Sequence, residues 1–291
     1  MGGGTRQNTK DIYLIRWTNP AAGLFAYVLN ILGELWFAEL KGYQPVVDMQ
    51  SYKNTYLEDF EVGKVNAWNY YFEPVSSLTV SECLEYENVY VSGENGVPYS
   101  PCPSVGWMLN KKKIVQWQKF THKYLKLNKE AFEYCDMDYR KLIDPTERVL
   151  GVKCRGTDYN PISAKGHPVQ PPIELLVKKA KQVMKKYRCT KIYLSTEDKK
   201  AIEIFTKEFG DRLLVSESVR VEYNLNKKAC VSSYSTNREN DKYVQGLEYL
   251  RDTYILSKCN CLIGGINGGS AAALVMGSDF EYTYFWYGGR Y

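Results

Sequence analysis

Along this chain the hydrophobic positions switch repeatedly between short apolar runs and helical stripes. Lys10 to Arg16 has Ile12, Leu14 and Ile15 apolar and breaks at Asn19-Pro20, the pattern of a short strand. From Gly23 to Leu40, the residues Leu24, Val28, Ile31, Leu32 and Leu35 recur at helical spacing while Phe25, Leu29, Trp36 and Phe37 cover the other side. The spacing therefore predicts a helix buried nearly all round. Gly42 ends it, and Gln44-Pro45-Val46-Val47-Asp48 reads as the next strand. Strand, glycine-marked turn, helix and strand make a βαβ unit, and hence a parallel sheet. The run Pro20 to Ala38 is almost wholly apolar, but Asn30 and Glu34 inside it would be costly in hydrocarbon, so a buried helix is expected rather than a membrane span.

Residues 50–108 resist assignment. Aromatics and glutamates alternate there with turn signals at Asn69 to Pro74, Gly93 to Gly96 and Pro98 to Pro103, which points to short strands and long loops over a binding face. Asn110 to about Leu142 reads as one helix with Ile114, Trp117, Phe120 and Tyr124 on a stripe, and Asp144-Pro145 breaks it. That break divides the chain into lobes at 1–145 and 146–291. The second lobe repeats the alternation. Val149 to Val152 is a strand, and Ile173, Leu176, Val177, Ala180, Met184 and Tyr187 stripe a helix. Lys191 to Thr196 is a strand, followed by a helix through Phe209 and a strand at Leu213 to Val215. Val219 to Arg238 is a polar loop, a candidate lid; Glu239 to Lys258 is a helix; Cys261 to Ile263 is a strand; and Gly264 to Ser270 leads into a small-residue helix, Ala271 to Met276. The class expected is α/β, with two lobes and a cleft between them.

With 291 residues, 44% hydrophobic and 24% charged, the composition is that of a soluble globular protein whose core needs no disulfide staples. The eight cysteines include no C-x-x-C pair, and several lie in apolar runs, so a reducing, cytoplasmic setting is expected. A formal charge of +5 is mild, and the local basic stretches at Lys111 to Lys113 and Lys178 to Lys186 fit either solvated faces or an affinity for an anionic ligand or the inner face of an acidic membrane. Met1 to Arg6 has no apolar signal core, and Arg6 stands where the myristoylation pattern wants Ser or Thr. The 25 tyrosines and 6 tryptophans suit packing against sugar-like surfaces and an aromatic core equally well.

Charge gathers where strands end. After Val149 to Val152 come Lys153, Arg155 and Asp158, with Gly156 allowing close backbone approach. In an open α/β sheet ligands bind outside the carboxyl ends of strands, and an arginine fork suits phosphate, although a salt-bridged strand end reads the same way. Gly264-Gly265-Ile266-Asn267-Gly268-Gly269-Ser270 lies between a strand and a helix, the setting of an anion site, or simply of a tight turn; it lacks the lysine of the P-loop and the spacing of the dinucleotide fingerprint. Asp252 lies opposite the apolar stripe of its helix and is expected to face another part of the protein or the cleft. His167, in a proline-bounded loop, is a candidate base or a plain loop histidine. Asp136-Met137-Asp138 has the D-x-D form but sits near a helix end rather than after a strand.

Three of these stretches, in this order, resemble the motifs of the GDP-fucose-dependent fucosyltransferases, the superfamily of α1,2-, α1,6- and protein O-fucosyltransferases. Gly151-Val152-Lys153-Cys154-Arg155-Gly156-Thr157-Asp158 resembles the H-x-R-R-x-D segment, and Ile192 to Asp198 resembles the second motif, a strand ending in Thr and acidic residues. Asp252 to Ser270 is similar to the third, and Gly42-Tyr43-Gln44-Pro45-Val46-Val47-Asp48 also fits. The resemblance implies a GT-B fold, two Rossmann-like lobes with parallel sheets facing a central cleft, and the nucleotide in the C-terminal lobe. It implies an inverting, metal-independent glycosyltransferase with no cofactor beyond its sugar-nucleotide donor, a glycan or glycoconjugate acceptor and no nucleic acid. Arg155 would hold the β-phosphate, Asp252 would read the guanine and Gly268 to Ser270 would cradle phosphate. The implied donor-binding set is Gly23, Lys153, Arg155, Asp158, Thr196, Asp252, Asn267, Gly268, Gly269 and Ser270; Arg155 is the implied catalytic residue, while the base is unassigned, with His167, Glu197 and Asp198 as candidates in that order.

The chain departs from the pattern at several points. Lys153 replaces the family's His, Gly156 its second Arg, and Asn267-Gly268 the usual Ser pair, while Tyr159 to Gly166 holds no carboxylate before His167-Pro168. These departures leave open another donor sugar, or a nucleotide- or glycan-binding protein that has lost turnover. A nicotinamide oxidoreductase rests on the α/β pattern alone.

Overall fold

Two parallel sheets, one in each half of the chain, carry the architecture of the computed structural model, which describes residues 4–7, 11–94, 105–155, 166–218 and 238–291. The first sheet has the order β2-β1-β3, with β1 (Ile12–Ile15) pairing with β2 (Gln44–Val47) on one side and β3 (Val89–Val91) on the other. All four residues of β1 are buried, as a strand covered on both faces requires. Helix α1 (Leu24–Lys41) crosses from β1 to β2 and is buried on nearly every side, as its composition predicts. Its one buried carboxylate, Glu34, accepts the Tyr13 hydroxyl at 2.6 Å, which compensates part of the cost of removing it from water. The helix stops where Gly42 takes up φ 72°, a left-handed cap that glycine adopts without strain.

The stretch that resisted assignment holds a short helix, α2 (Val80–Cys83), and the strand β3, whose three residues are too few to show a period. The single helix expected from Asn110 to Leu142 is two helices, α3 (Lys111–Tyr124) and α4 (Lys129–Leu142). The break carries neither Gly nor Pro. It is made by tertiary contact: Leu127 bridges to Phe72, and the Asn128 side chain caps α4 by accepting the Ala131 N–H at 2.8 Å.

The second sheet has the order β6-β5-β4-β7-β8 and is parallel throughout. Its elements are β4 (Val149–Lys153), α5 (Ile173–Tyr187), β5 (Lys191–Ser195), α6 (Lys199–Phe209), β6 (Leu213–Leu214), α7 (Asp241–Ser257), β7 (Cys261–Gly265), α8 (Gly268–Met276) and β8 (Tyr282–Trp286). The strand order reverses between β4 and β7, so the crevice at the carboxyl ends of those two strands is the topological switch point. Helix α8 begins at Gly268, three residues before the Ala271 start read from its small-residue run, and β8 is an aromatic edge strand with no counterpart in that reading. The candidate lid, 219–238, lies outside the described residues except for Arg238, and Cys102 and Cys230 also lie outside them. The six described cysteines are free and buried; burial pushes the thiols of Cys83, Cys135 and Cys154 up to about 12.

The two sheets share one core. Helix α3 lies against α8, where Gln118 donates to the Leu274 carbonyl at 3.0 Å, and α4 lies against α7, where Arg251 meets Asp138 at 3.0 Å. Part of the tyrosine content is used here. Tyr71 stacks on Tyr243 with ring centroids 5.9 Å apart and donates its hydroxyl to the Tyr243 carbonyl at 3.0 Å, while Tyr56 and Tyr70 pack edge-on around the pair. No helix among the described residues is long and apolar enough to cross a membrane.

Gly246 of α7 lets this tyrosine cluster close on the helix, because an added Cβ would collide with the Tyr71 hydroxyl and come within 2.9 Å of Tyr56. Gly246→Ala is expected to destabilise the protein by about 1–3 kcal/mol despite alanine's better helix propensity. Chemical denaturation checks this, and a stabilised variant would show that the cluster has room to move.

Candidate functional site

Register brings the central charges together. β4 and β5 pair with Lys153 opposite Ser195, so the residues two positions further along, Arg155 and Glu197, leave the sheet side by side. The Lys153 ammonium is 3.2 Å from the Ser195 hydroxyl and 3.6 Å from one oxygen of Glu197; the Arg155 Nε is 3.9 Å from the other. Lys153 is only 3% exposed. A cation so far from water must be compensated, and Glu197, Ser195 and the ring of Tyr249, 5.3 Å from the ammonium, supply the compensation. Two cations thus share one carboxylate.

The glycine turn approaches the same place from β7. Asn267 caps α8 by accepting the Ser270 N–H at 2.9 Å, and its amide donates to Gln170 and to the Gly265 carbonyl, both at 3.2 Å. The Ser270 hydroxyl is fully buried and donates to the Gly265 carbonyl at 2.7 Å. Helix geometry leaves the N–H groups of Gly268 and Gly269 as the donors for a ligand. A Cβ on Gly268 would lie 3.5 Å from the Phe25 backbone, so the start of α8 faces the first turn of α1. At Gly23, the N-cap of α1, an added Cβ would meet nothing within 4 Å, which places open space at that helix end. A Cβ on Gly269 would lie 3.3 Å from the Lys153 Cε. Two positive helix ends and two cations therefore converge on one region, with Glu197 between the cations. Burial pushes the Tyr56 phenol well above its ordinary value and the Tyr249 phenol adds to the rise, while the Leu24 N–H and the Arg155 charge oppose it.

Asp198 and Thr196 shape the turn after β5. The Asp198 carboxylate caps α6 by accepting the Lys200 N–H at 2.9 Å, and burial raises its pKa. The Thr196 hydroxyl accepts the Asp198 N–H at 3.1 Å. Asp252 is buried on α7, where one oxygen accepts from Arg251 at 2.9 and 3.2 Å. Arg251 also reaches Asp138, Tyr134 and Ser218, and with them, Glu217 and Glu248 it lines a polar cavity of about 480 Å³. The D-x-D residues are thereby accounted for: Asp138 pairs with Arg251, and Asp136 accepts from Arg140 at 2.6 Å and Tyr254 at 3.2 Å. His167 is exposed, and its carbonyl accepts the Tyr291 N–H at 3.1 Å, so its loop is tied to the tail beyond β8 rather than to β4. Asp158 and Gly156 lie outside the described residues. Tyr249, Arg251 and Gln170 join the site without having been singled out in the sequence, since each sits in a helix or loop pattern that reads as ordinary surface.

No family model and no curated protein sequence matches the chain. Solved structures do. The fucosyltransferase NodZ from Bradyrhizobium is 13% identical, with 91% of this chain and 92% of that one covered at a TM-score of 0.56. POFUT1 in complex with GDP is 9% identical, with 98% and 100% covered at 0.54, and an Arabidopsis thaliana FUT1 variant in complex with GDP is 8% identical, with 95% and 70% covered at 0.52. The fold is the GT-B arrangement of these fucosyltransferase structures.

Replacing Glu197 by Gln leaves Lys153, with a side chain 4% exposed, facing Arg155 without a carboxylate. Stability is expected to fall by about 1–3 kcal/mol, with inorganic pyrophosphate restoring part of it. Thermal unfolding of Glu197→Gln with and without pyrophosphate measures both effects; a variant as stable as the parent would show that the carboxylate does not compensate the pair.

Proposed function

We propose that the chain transfers fucose from GDP-fucose to a hydroxyl of a glycan or glycoconjugate, with inversion at the anomeric carbon and with its own cations in place of a metal ion. The observation that carries this reading is the pairing of Lys153 and Arg155 with one shared carboxylate, opposite the starts of α1 and α8. A bound diphosphate brings negative charge to a place where two cations and two positive helix ends meet. As the bond between the sugar C1 and the phosphate oxygen breaks, charge builds on that oxygen, and donors already aimed at it bind the transition state more tightly than the ground state. The solved structures with GDP or GDP-fucose bound support the choice of donor class.

The acceptor oxygen attacks C1 from the face opposite the leaving diphosphate, so its proton must go to a base on that face. Glu197 pairs with the two cations assigned to the diphosphate, and Asp198 caps α6, so both are placed to organise the donor side. His167, an exposed residue, is the first candidate for the base. The cavity beside Arg251 and Asp252, with carboxylates and a guanidinium in its walls, offers acceptors and donors to a guanine edge. The described cysteines are free and buried, with Cys189 donating its S–H to the Cys261 sulfur at 4.0 Å, which accords with the cytoplasmic setting proposed here, at the inner face of the membrane.

A second reading, a nucleotide-binding protein without turnover, is favoured by one observation: two of its three candidate bases are occupied with structural pairing and capping. Titration calorimetry with GDP in EDTA, followed by mass spectrometry of GDP-fucose with acceptor glycans, separates the two. Fucosyl transfer requires GDP binding that survives chelation and a product gaining one deoxyhexose. Binding without product or donor hydrolysis supports the second reading, and loss of binding on chelation sinks the metal-free mechanism. Arg155→Ala is expected to lower donor turnover by at least about a hundredfold while circular dichroism stays unchanged, the scale set by losing one preorganised donor to a developing anion.

A further inference from the structure

Tyr249 occupies a position that none of the three motifs includes. It lies on α7, half-buried, and touches three elements at once. Its ring meets Phe25 of α1 edge-on, with centroids 4.9 Å apart at 80°, and turns its face toward the Lys153 ammonium at the end of β4. Its hydroxyl stands over the start of α8, where a Cβ on Gly269 would come within 2.8 Å of it. Each of these neighbours forms one wall of the region assigned above to the diphosphate.

The hydroxyl lies at the glycine turn whose N–H groups face the ligand region, so a phosphate oxygen held by that turn comes within its reach, and a phenol O–H can donate to such an oxygen. Gly269 has no positive φ to demand glycine, and the atom that a side chain there would meet first is the Tyr249 hydroxyl. We infer that Tyr249 is a ligand of the donor's diphosphate, donating its hydroxyl hydrogen to a phosphate oxygen, and that Gly269 is required to admit that hydroxyl. This inference rests on the sugar-nucleotide reading of the site.

Titration calorimetry of the full chain with GDP, and competition by guanosine, tests it. Tyr249→Phe is expected to weaken GDP about tenfold or more, the scale of one hydrogen bond to a charged group, and to leave guanosine within about twofold, since guanosine carries no phosphate. Gly269→Ala is expected to cost a similar factor in the parent and much less when combined with Tyr249→Phe, because the atom that the new methyl meets has then been removed. GDP affinity unchanged in Tyr249→Phe, or equal losses for GDP and guanosine, would overturn the inference while leaving the sugar-nucleotide reading standing. A parent protein that binds no GDP would overturn both. Should Tyr249→Phe fail to fold, Gly269→Ala alone decides: unaltered GDP affinity rejects the hydroxyl's role, and a loss confined to GDP supports it.

Discussion

Glu197 holds two cations that the fold has already withdrawn from water, and much of the site follows from that pairing. A lysine with almost no exposure cannot stand alone, and an arginine beside it would repel it without the shared carboxylate. Parallel pairing of β4 with β5 supplies the geometry, because in-register neighbours deliver residues 155 and 197 together at the sheet's edge. The starts of α1 and α8 add to the positive side of this pairing. Under the proposed function this positive side is where the donor's diphosphate would lie.

The aromatic packing between the sheets keeps those charges at fixed spacing. Tyr71 on Tyr243, Tyr56 against Tyr71 and Phe25 against Tyr249 join the first half of the chain to α7, the helix that also carries Arg251 and Asp252. Gly246 permits the close approach. A shared core means that the α1 end of the site and the α8 end are not carried by independently moving bodies, so preorganisation of the donors costs nothing further when a ligand arrives.

Several residues carry roles other than those their motif positions imply. Asp198 and Asn267 are helix caps, and the Ser270 hydroxyl donates to the Gly265 carbonyl, so these side chains also hold the turns in shape. Asp252 is engaged by Arg251, so under the proposed function the two would meet the base together.

The alternation of short apolar runs with helical stripes determined the α/β class, the parallel sheets, the buried α1 and most strand positions, because burial on both faces and helical periodicity are local properties of the chain. It also placed Lys153, Arg155 and Glu197 at strand ends, where charge is conspicuous after an apolar run. Tertiary structure alone decided the break between α3 and α4, the edge strand β8, the sharing of Glu197 between two cations and the place of Tyr249 over Gly269. Each of those depends on which distant residue arrives opposite, whether Phe72 beside Leu127 or Lys153 beneath a tyrosine ring, and no window of sequence contains both partners.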